Sequence, residues 1–264
     1  MVVTWEQPLV ALMRPYRFRG KSRLLGALCP HAGRRDVRLF GATLALDLSD
    51  FMQREIYLGL FEPQETALVR SYLAPGMTVV DVGANIGYYV LLAASRVGSA
   101  GHVLAFEPSP WACDRLRRTV ADNDLSDVVV VEQQAVGDRT CTASLFMPGS
   151  PGNHTPSMLG GGSDATRVAV PVVALDESFQ NHRIGRVDLL KVDVEGFEPN
   201  VLAGAKNSLG RGAVRALLCE FNRYWLGENG TTSETLYEEI LRYGFRPSSA
   251  LGPAPTQTIL FQLR

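Results

Sequence analysis

Val79-Val80-Asp81-Val82-Gly83-Ala84-Asn85-Ile86-Gly87-Tyr88 decides the fold. A short β-branched run ends in an acidic residue, a glycine turn follows, and an apolar segment with helical spacing begins at once. Gly83 and Gly87 let the chain turn sharply and approach a ligand, and the next helix offers its first amides there. By itself this strand–turn–helix suits any nucleotide-like ligand. Two further residues narrow it. Asp81 closes the strand, where a diphosphate would be repelled and a sulfonium or ammonium welcomed. Glu107 ends the next apolar run, Val103-Leu104-Ala105-Phe106, twenty residues beyond Gly87. A carboxylate in that register accepts both hydroxyls of a ribose.

Outward from this stretch, strands are predicted near 77–82, 102–106, 127–133, 187–193 and 213–221. Helices are predicted from Pro63 to Pro75 and near 87–97, 110–122, 198–205 and 231–243. Ser109-Pro110 is a helix start, and Thr231-x-x-Glu234 resembles a capping box before a helix that Gly244 closes. Runs such as Val128-Val129-Val130-Val131 are apolar on both faces, as a covered parallel sheet requires. The expected fold is therefore α/β, a doubly wound, mostly parallel sheet with ligands at the carboxyl ends of its strands. Residues 1–60 are read as an accessory helix and hairpin segment, with a turn near Gly41. Residues 61–264 are read as the main domain. Its glycine- and proline-rich stretch 148–166 is either a lid over the substrate or a disordered segment.

Composition bounds the function. The 264 residues are 46% hydrophobic and 20% charged, with a formal net charge of −1. That balance speaks against nucleic acid as a partner. No apolar run approaches the roughly 20 residues of a membrane span, and charged residues interrupt the N-terminal stretch before a secretory pattern can form, so a cytoplasmic location without stable membrane insertion is expected. The basic stretch Arg14 to Arg23 is read as the solvated face of an accessory helix, with a membrane-surface or anionic-ligand contact as the alternative. Cys29, Cys113, Cys141 and Cys219 are scattered as reduced thiols rather than as a disulfide framework. Oligomeric state is not legible.

Three motifs in order resemble the FkbM-type methyltransferases: Asp81-Val-Gly-Ala-Asn-Ile-Gly-Tyr88, then Ala105-Phe-Glu-Pro108, then Leu190-Lys-Val-Asp-Val-Glu-Gly-Phe-Glu198. Ala135-Val136-Gly137-Asp138 and Val170 to Asp176 support the likeness, which runs from about Tyr57 to Phe221. The resemblance implies a class I, Rossmann-like methyltransferase fold and S-adenosylmethionine as cofactor. It also implies O-methylation of a small-molecule hydroxyl, on a sugar, a glycoside or a polyketide-type natural product. By that likeness Asp81, Gly83, Ala84, Asn85, Gly87, Tyr88, Glu107 and Pro108 surround the cofactor, with Ala135 and Val136 near its adenine.

The third motif is where the chemistry is expected. Lys191 and Asp193 share the parity of one strand, and a charge in a buried strand is costly unless paired. They are either a structural ion pair or, with Glu195 and Glu220, the edge of the reaction site. Asp193, which also borders the cofactor, is the first candidate for base or base-orienter, with His154 second. Asp193, Glu220 and Asn222 are the candidate ligands for a magnesium ion, which is possible but not favoured. A nicotinamide-dependent dehydrogenase and a non-catalytic S-adenosylmethionine-binding protein are the competing readings. The first is disfavoured by Asp81 and by the lack of G-x-G-x-x-G.

Overall fold

A computed structural model describes Val10, Leu12 and residues 30–148, 156–160 and 164–263. Its centre is a seven-stranded sheet in the order β11-β12-β10-β9-β3-β4-β5. These strands are β3 (Thr78–Val82), β4 (His102–Phe106), β5 (Val129–Glu132), β9 (Leu189–Val192), β10 (Ala216–Asn222), β11 (Phe245–Pro247) and β12 (Thr256–Leu263). β12 runs antiparallel to both β10 and β11, whereas β10, β9, β3, β4 and β5 pair in parallel. The chain moves outward from β3 through β4 to β5, then returns to the other side of β3 at β9. That reversal opens a crevice over the carboxyl ends of β3, β4 and β9.

β3, β4, β9 and β10 are buried on both faces, which explains their apolar runs, whereas β5 at the sheet edge is only partly covered. Along β3, Val80 and Val82 join one core cluster with Phe106, Leu190 and Phe221. Val79 joins the other, beneath α2 (Pro63–Tyr72), α3 (Tyr88–Val97) and α4 (Pro110–Asp122). Asp81 and Lys191 have the parity of this second face, and this decides their environment.

Local signals set several boundaries. Ser109 caps α4 by accepting from the Ala112 amide. The expected capping box Thr231-x-x-Glu234 does not form before α9 (Ser233–Arg242). Thr232, not Thr231, accepts from the Thr235 amide, while Glu234 pairs with Arg223. The predicted hairpin is β1 (Arg34–Leu39) and β2 (Ala42–Asp47), turning through Phe40 and Gly41, both at positive φ. It packs with α1 (Phe51–Leu58) against Ile86 and Leu91. Elements that the sequence did not announce include α1, β11, β12 and α5 (Leu175–Asn181). α5 is tied to α7 (Lys206–Gly210) by Asp176, which accepts from the Asn207 and Ser208 amides.

A second sheet, β6-β8-β7, comprises Ala135–Val136, Thr166–Val173 and Cys141–Met147 and stands over one side of the crevice. Part of the 148–166 stretch is built into it, because Ser157 exchanges both backbone hydrogen bonds with Phe146. Cys113 and Cys219 are buried and Cys141 is exposed. Among the described residues no helix is long and apolar enough to cross a membrane.

Candidate active site

A cleft opens over the glycine turn. Its walls take Gly83 to Ile86 and Tyr88 from that turn, Phe106 to Pro108 after β4, and Gln134 to Val136 at β6. Lys191 and Asp193 to Glu195 come from the end of β9, with Glu220 from β10. Pro156 and Met158 close it from the second sheet, Met52, Phe61 and Glu62 from the segments before β3, and Tyr89 from α3. Gly83 stands at φ +85, and a Cβ there would lie 1.9 Å from the Asp193 carbonyl oxygen. Only glycine lets the turn and the end of β9 approach this closely.

Glu107 is 4% exposed, and each of its oxygens takes one backbone amide at 2.8 Å, from Asn85 and from Ser109. Each oxygen retains a lone pair for a ligand hydroxyl. Burial raises this carboxyl to about 7 against the opposing pull of those amides.

Asp81 corrects an expectation. Its side chain does not line the cleft. It stands opposite Lys191 across the β3–β9 ladder, with ammonium and carboxylate 3.4 Å apart and both buried. The cause is parity, which turns Asp81 beneath α3 while the glycine turn above it faces the ligand. The same ammonium is 3.2 Å from Asp193 and 5.0 Å from the centre of the Tyr89 ring. Burial opposes its charge, but Asp193, Asp81 and Glu62 outweigh that and hold Lys191 above its usual range. Lys191 is thus an ion-paired residue that also reaches the cleft.

Glu195 sits at φ 52, followed by Gly196 at φ 90. This tight turn is fixed by Glu198, which accepts from the Val194 and Gly196 amides. A Cβ on Gly196 would lie 2.5 Å from the Trp225 backbone, so the second glycine is needed for packing. Burial lifts Glu195 to about 7, with Asp193 and Glu198 adding repulsion. Glu220 is pushed well above the carboxylate range by burial, then by Asp193 and Glu195. Its Oε2 is buried without a hydrogen-bond partner.

Asn222 does not line the cleft. Its Oδ1 caps α8 (Arg223–Glu228) and its amide donates to Glu195. Among the described residues no group of three His, Cys, Asp or Glu side chains is arranged to hold a metal. His154 lies outside the described residues, as does the basic stretch from Arg14 to Arg23.

Sequence reasoning missed Glu62, Tyr89, Glu198, Met52 and Met158. Glu62 was legible only as the residue before a helix-starting proline, and Glu198 only as the end of the third motif.

The family model for the methyltransferase FkbM domain matches residues 81–247. The chain belongs to the FkbM methyltransferase family. It is 32% identical over 157 residues to methyltransferase sdnD of Sordaria araneosa, covering 48% of this chain and 59% of that protein. To the hexuronic acid methyltransferase AglP of Haloferax volcanii it is 29% identical, over 49% and 50% of the two chains. To the 31-O-demethyl-FK506 methyltransferase FkbM of Streptomyces tacrolimicus it is 30% identical, over 52% and 62%. The chain thus spans one half to three fifths of the length of these curated relatives.

Proposed function

We propose that this FkbM-family protein is an S-adenosylmethionine-dependent O-methyltransferase. Its acceptor in this reading is a hydroxyl of a small molecule, such as a sugar, a glycoside or a polyketide-type natural product. One observation carries the reading. Glu62, Glu107, Asp193, Glu195 and Glu220 line the cleft, and Lys191 is the only cation among its described residues. Such a wall suits a ligand bearing a sulfonium and an ammonium, and it opposes the diphosphate of a dinucleotide. The names of AglP and of the 31-O-demethyl-FK506 enzyme support a hydroxylated natural-product acceptor.

The residues divide the work. Glu107, with both oxygens already oriented by backbone amides, accepts the ribose hydroxyls. The Gly83–Asn85 turn brings its backbone against the ligand, and Ala135 and Val136 offer an apolar wall to the adenine. When bound, S-adenosylmethionine supplies the electrophilic methyl and takes the electron pair of the broken carbon–sulfur bond. The protein aligns the acceptor oxygen in line with that bond and excludes water. Asp193, oriented by the Lys191 ammonium at 3.2 Å, receives the hydroxyl proton as the new carbon–oxygen bond forms. Glu195 and Glu220 border the same end and hold the acceptor's other polar groups.

Titration with S-adenosylmethionine and with NAD, followed by transfer of labelled methyl to an acceptor panel, tests this reading. Binding of the first ligand alone is expected, with turnover on hydroxylated acceptors. Asp193→Asn should keep cofactor binding within a few-fold and lose turnover. Retained turnover would remove Asp193 from the proton-accepting role.

A further inference from the structure

With Glu107, Asp193, Glu195 and Glu220 assigned, one carboxylate of the cleft is left without a role. Glu62 precedes the first strand of the main sheet and stands before Pro63 at φ 37, a conformation costly for a non-glycine residue. The tight entry into α2 turns its side chain into the cleft rather than toward solvent. There the Tyr89 hydroxyl donates to it, and among the described residues it forms no ion pair. Asp193, the like charge that acts on it most strongly, already has the Lys191 ammonium at 3.2 Å. Burial, then Asp193, pushes Glu62 up to about 7. A strained, half-buried carboxylate thus stands with a neutral donor on one side and a like charge on the other. The ammonium that acts on it, Lys191, is already shared by Asp81 and Asp193, so it has room for a ligand's cation.

Glu107 follows β4, whereas Lys191 and Asp193 come from β9 on the other side of β3, and Glu62 joins the latter group through Tyr89, whose ring centre is 5.0 Å from the Lys191 ammonium. A ligand whose ribose meets Glu107 therefore extends its other end across the glycine turn toward Glu62. We propose that Glu62, held by Tyr89, is the binding residue for the ammonium of the ligand's amino-acid end. Asp193 is thereby left to the reacting end. This rests on the S-adenosylmethionine reading above. It also gives the segment before β3 a part in ligand binding that the family motifs do not contain.

Two probes separate this role from a structural one. S-adenosylhomocysteine carries the amino-acid end, and 5′-methylthioadenosine lacks it while keeping adenine and ribose. Calorimetric titration of the full chain and of Glu62→Gln, which preserves a partner for Tyr89, reads both. The substitution is expected to weaken S-adenosylhomocysteine by about ten-fold or more, as loss of a charged hydrogen bond does, and to leave methylthioadenosine within two-fold. Glu62→Asp, which keeps the charge, should recover part of the preference. Equal loss for both probes, or loss for neither, overturns the assignment. If Glu62→Gln fails to fold, by its thermal transition, Glu62→Asp with the same two probes decides. A wild-type chain that binds neither probe overturns the cofactor reading itself and is thereby distinguishable from failure of Glu62 alone.

Discussion

Asp81 and Lys191 face each other across adjacent parallel strands, carboxylate and ammonium 3.4 Å apart, both shut away from water. The pair is a foundation under the cleft rather than part of its wall. Its second contact, Lys191 to Asp193, carries the charge pattern from the core to the cleft.

Removing one member of this pair is expected to be worse than removing both. Asp81→Leu leaves a buried ammonium short of a carboxylate and should cost about 3–5 kcal/mol. Asp81→Leu with Lys191→Met replaces charge by packing and should recover most of that stability while impairing the site. Chemical denaturation of the three proteins checks this, and a double variant no more stable than the single one would refute it.

Glu107→Gln keeps the shape of the side chain but sets its new amide donor against a backbone N–H of Asn85 or Ser109. Affinity for S-adenosylmethionine should fall about 10- to 100-fold, with little change in the thermal transition. Titration calorimetry reads the first and circular dichroism the second.

Glu62, Glu107, Glu195 and Glu198 are each raised to about 7, with burial the largest cause in every case. Carboxyls raised on folding bind more protons in the native than in the unfolded chain between about 4.5 and 7. The stability they contribute is therefore full below about 4.5 and lost as pH rises through 7. The unliganded protein should lose stability over this window, while affinity for the cationic cofactor should rise from pH 6 to pH 8. Unfolding and titration at several pH values check both slopes, and a flat affinity profile would contradict the second.

Gly83→Ala must move either the turn or the end of β9, because its Cβ would meet the Asp193 carbonyl at 1.9 Å with φ at +85. A loss of at least about 2 kcal/mol is expected, together with loss of cofactor binding. Gly98→Ala, also at positive φ but with open space around its Cβ, should pay only the backbone strain and keep binding.

Much of the fold was legible because its signals are local. A β-branched run, a glycine turn and a helical stripe each depend on residues a few positions apart, so β3, β4, β5, β9 and β10 could be read in order. β11 and β12 could not. β12 is an antiparallel strand between β10 and β11, held there by pairings that no short window contains. The site divides in the same way. Glu107 and the glycine turn were legible because strand ends and turns fix them locally, whereas Glu62 is held in the cleft by Tyr89, 27 positions away.

The sequence by itself determined the order of strands and helices, the glycine turn and the identity of the acids available to it. Tertiary structure alone decided which acids face the ligand. Strand register paired Asp81 with Lys191, 110 positions away, and withdrew it from the cleft. The packing of α2 against α3 brought Glu62 in. The reason is physical: alternation fixes only the parity of a side chain, while the charges it meets depend on which distant strand or helix is packed beside it.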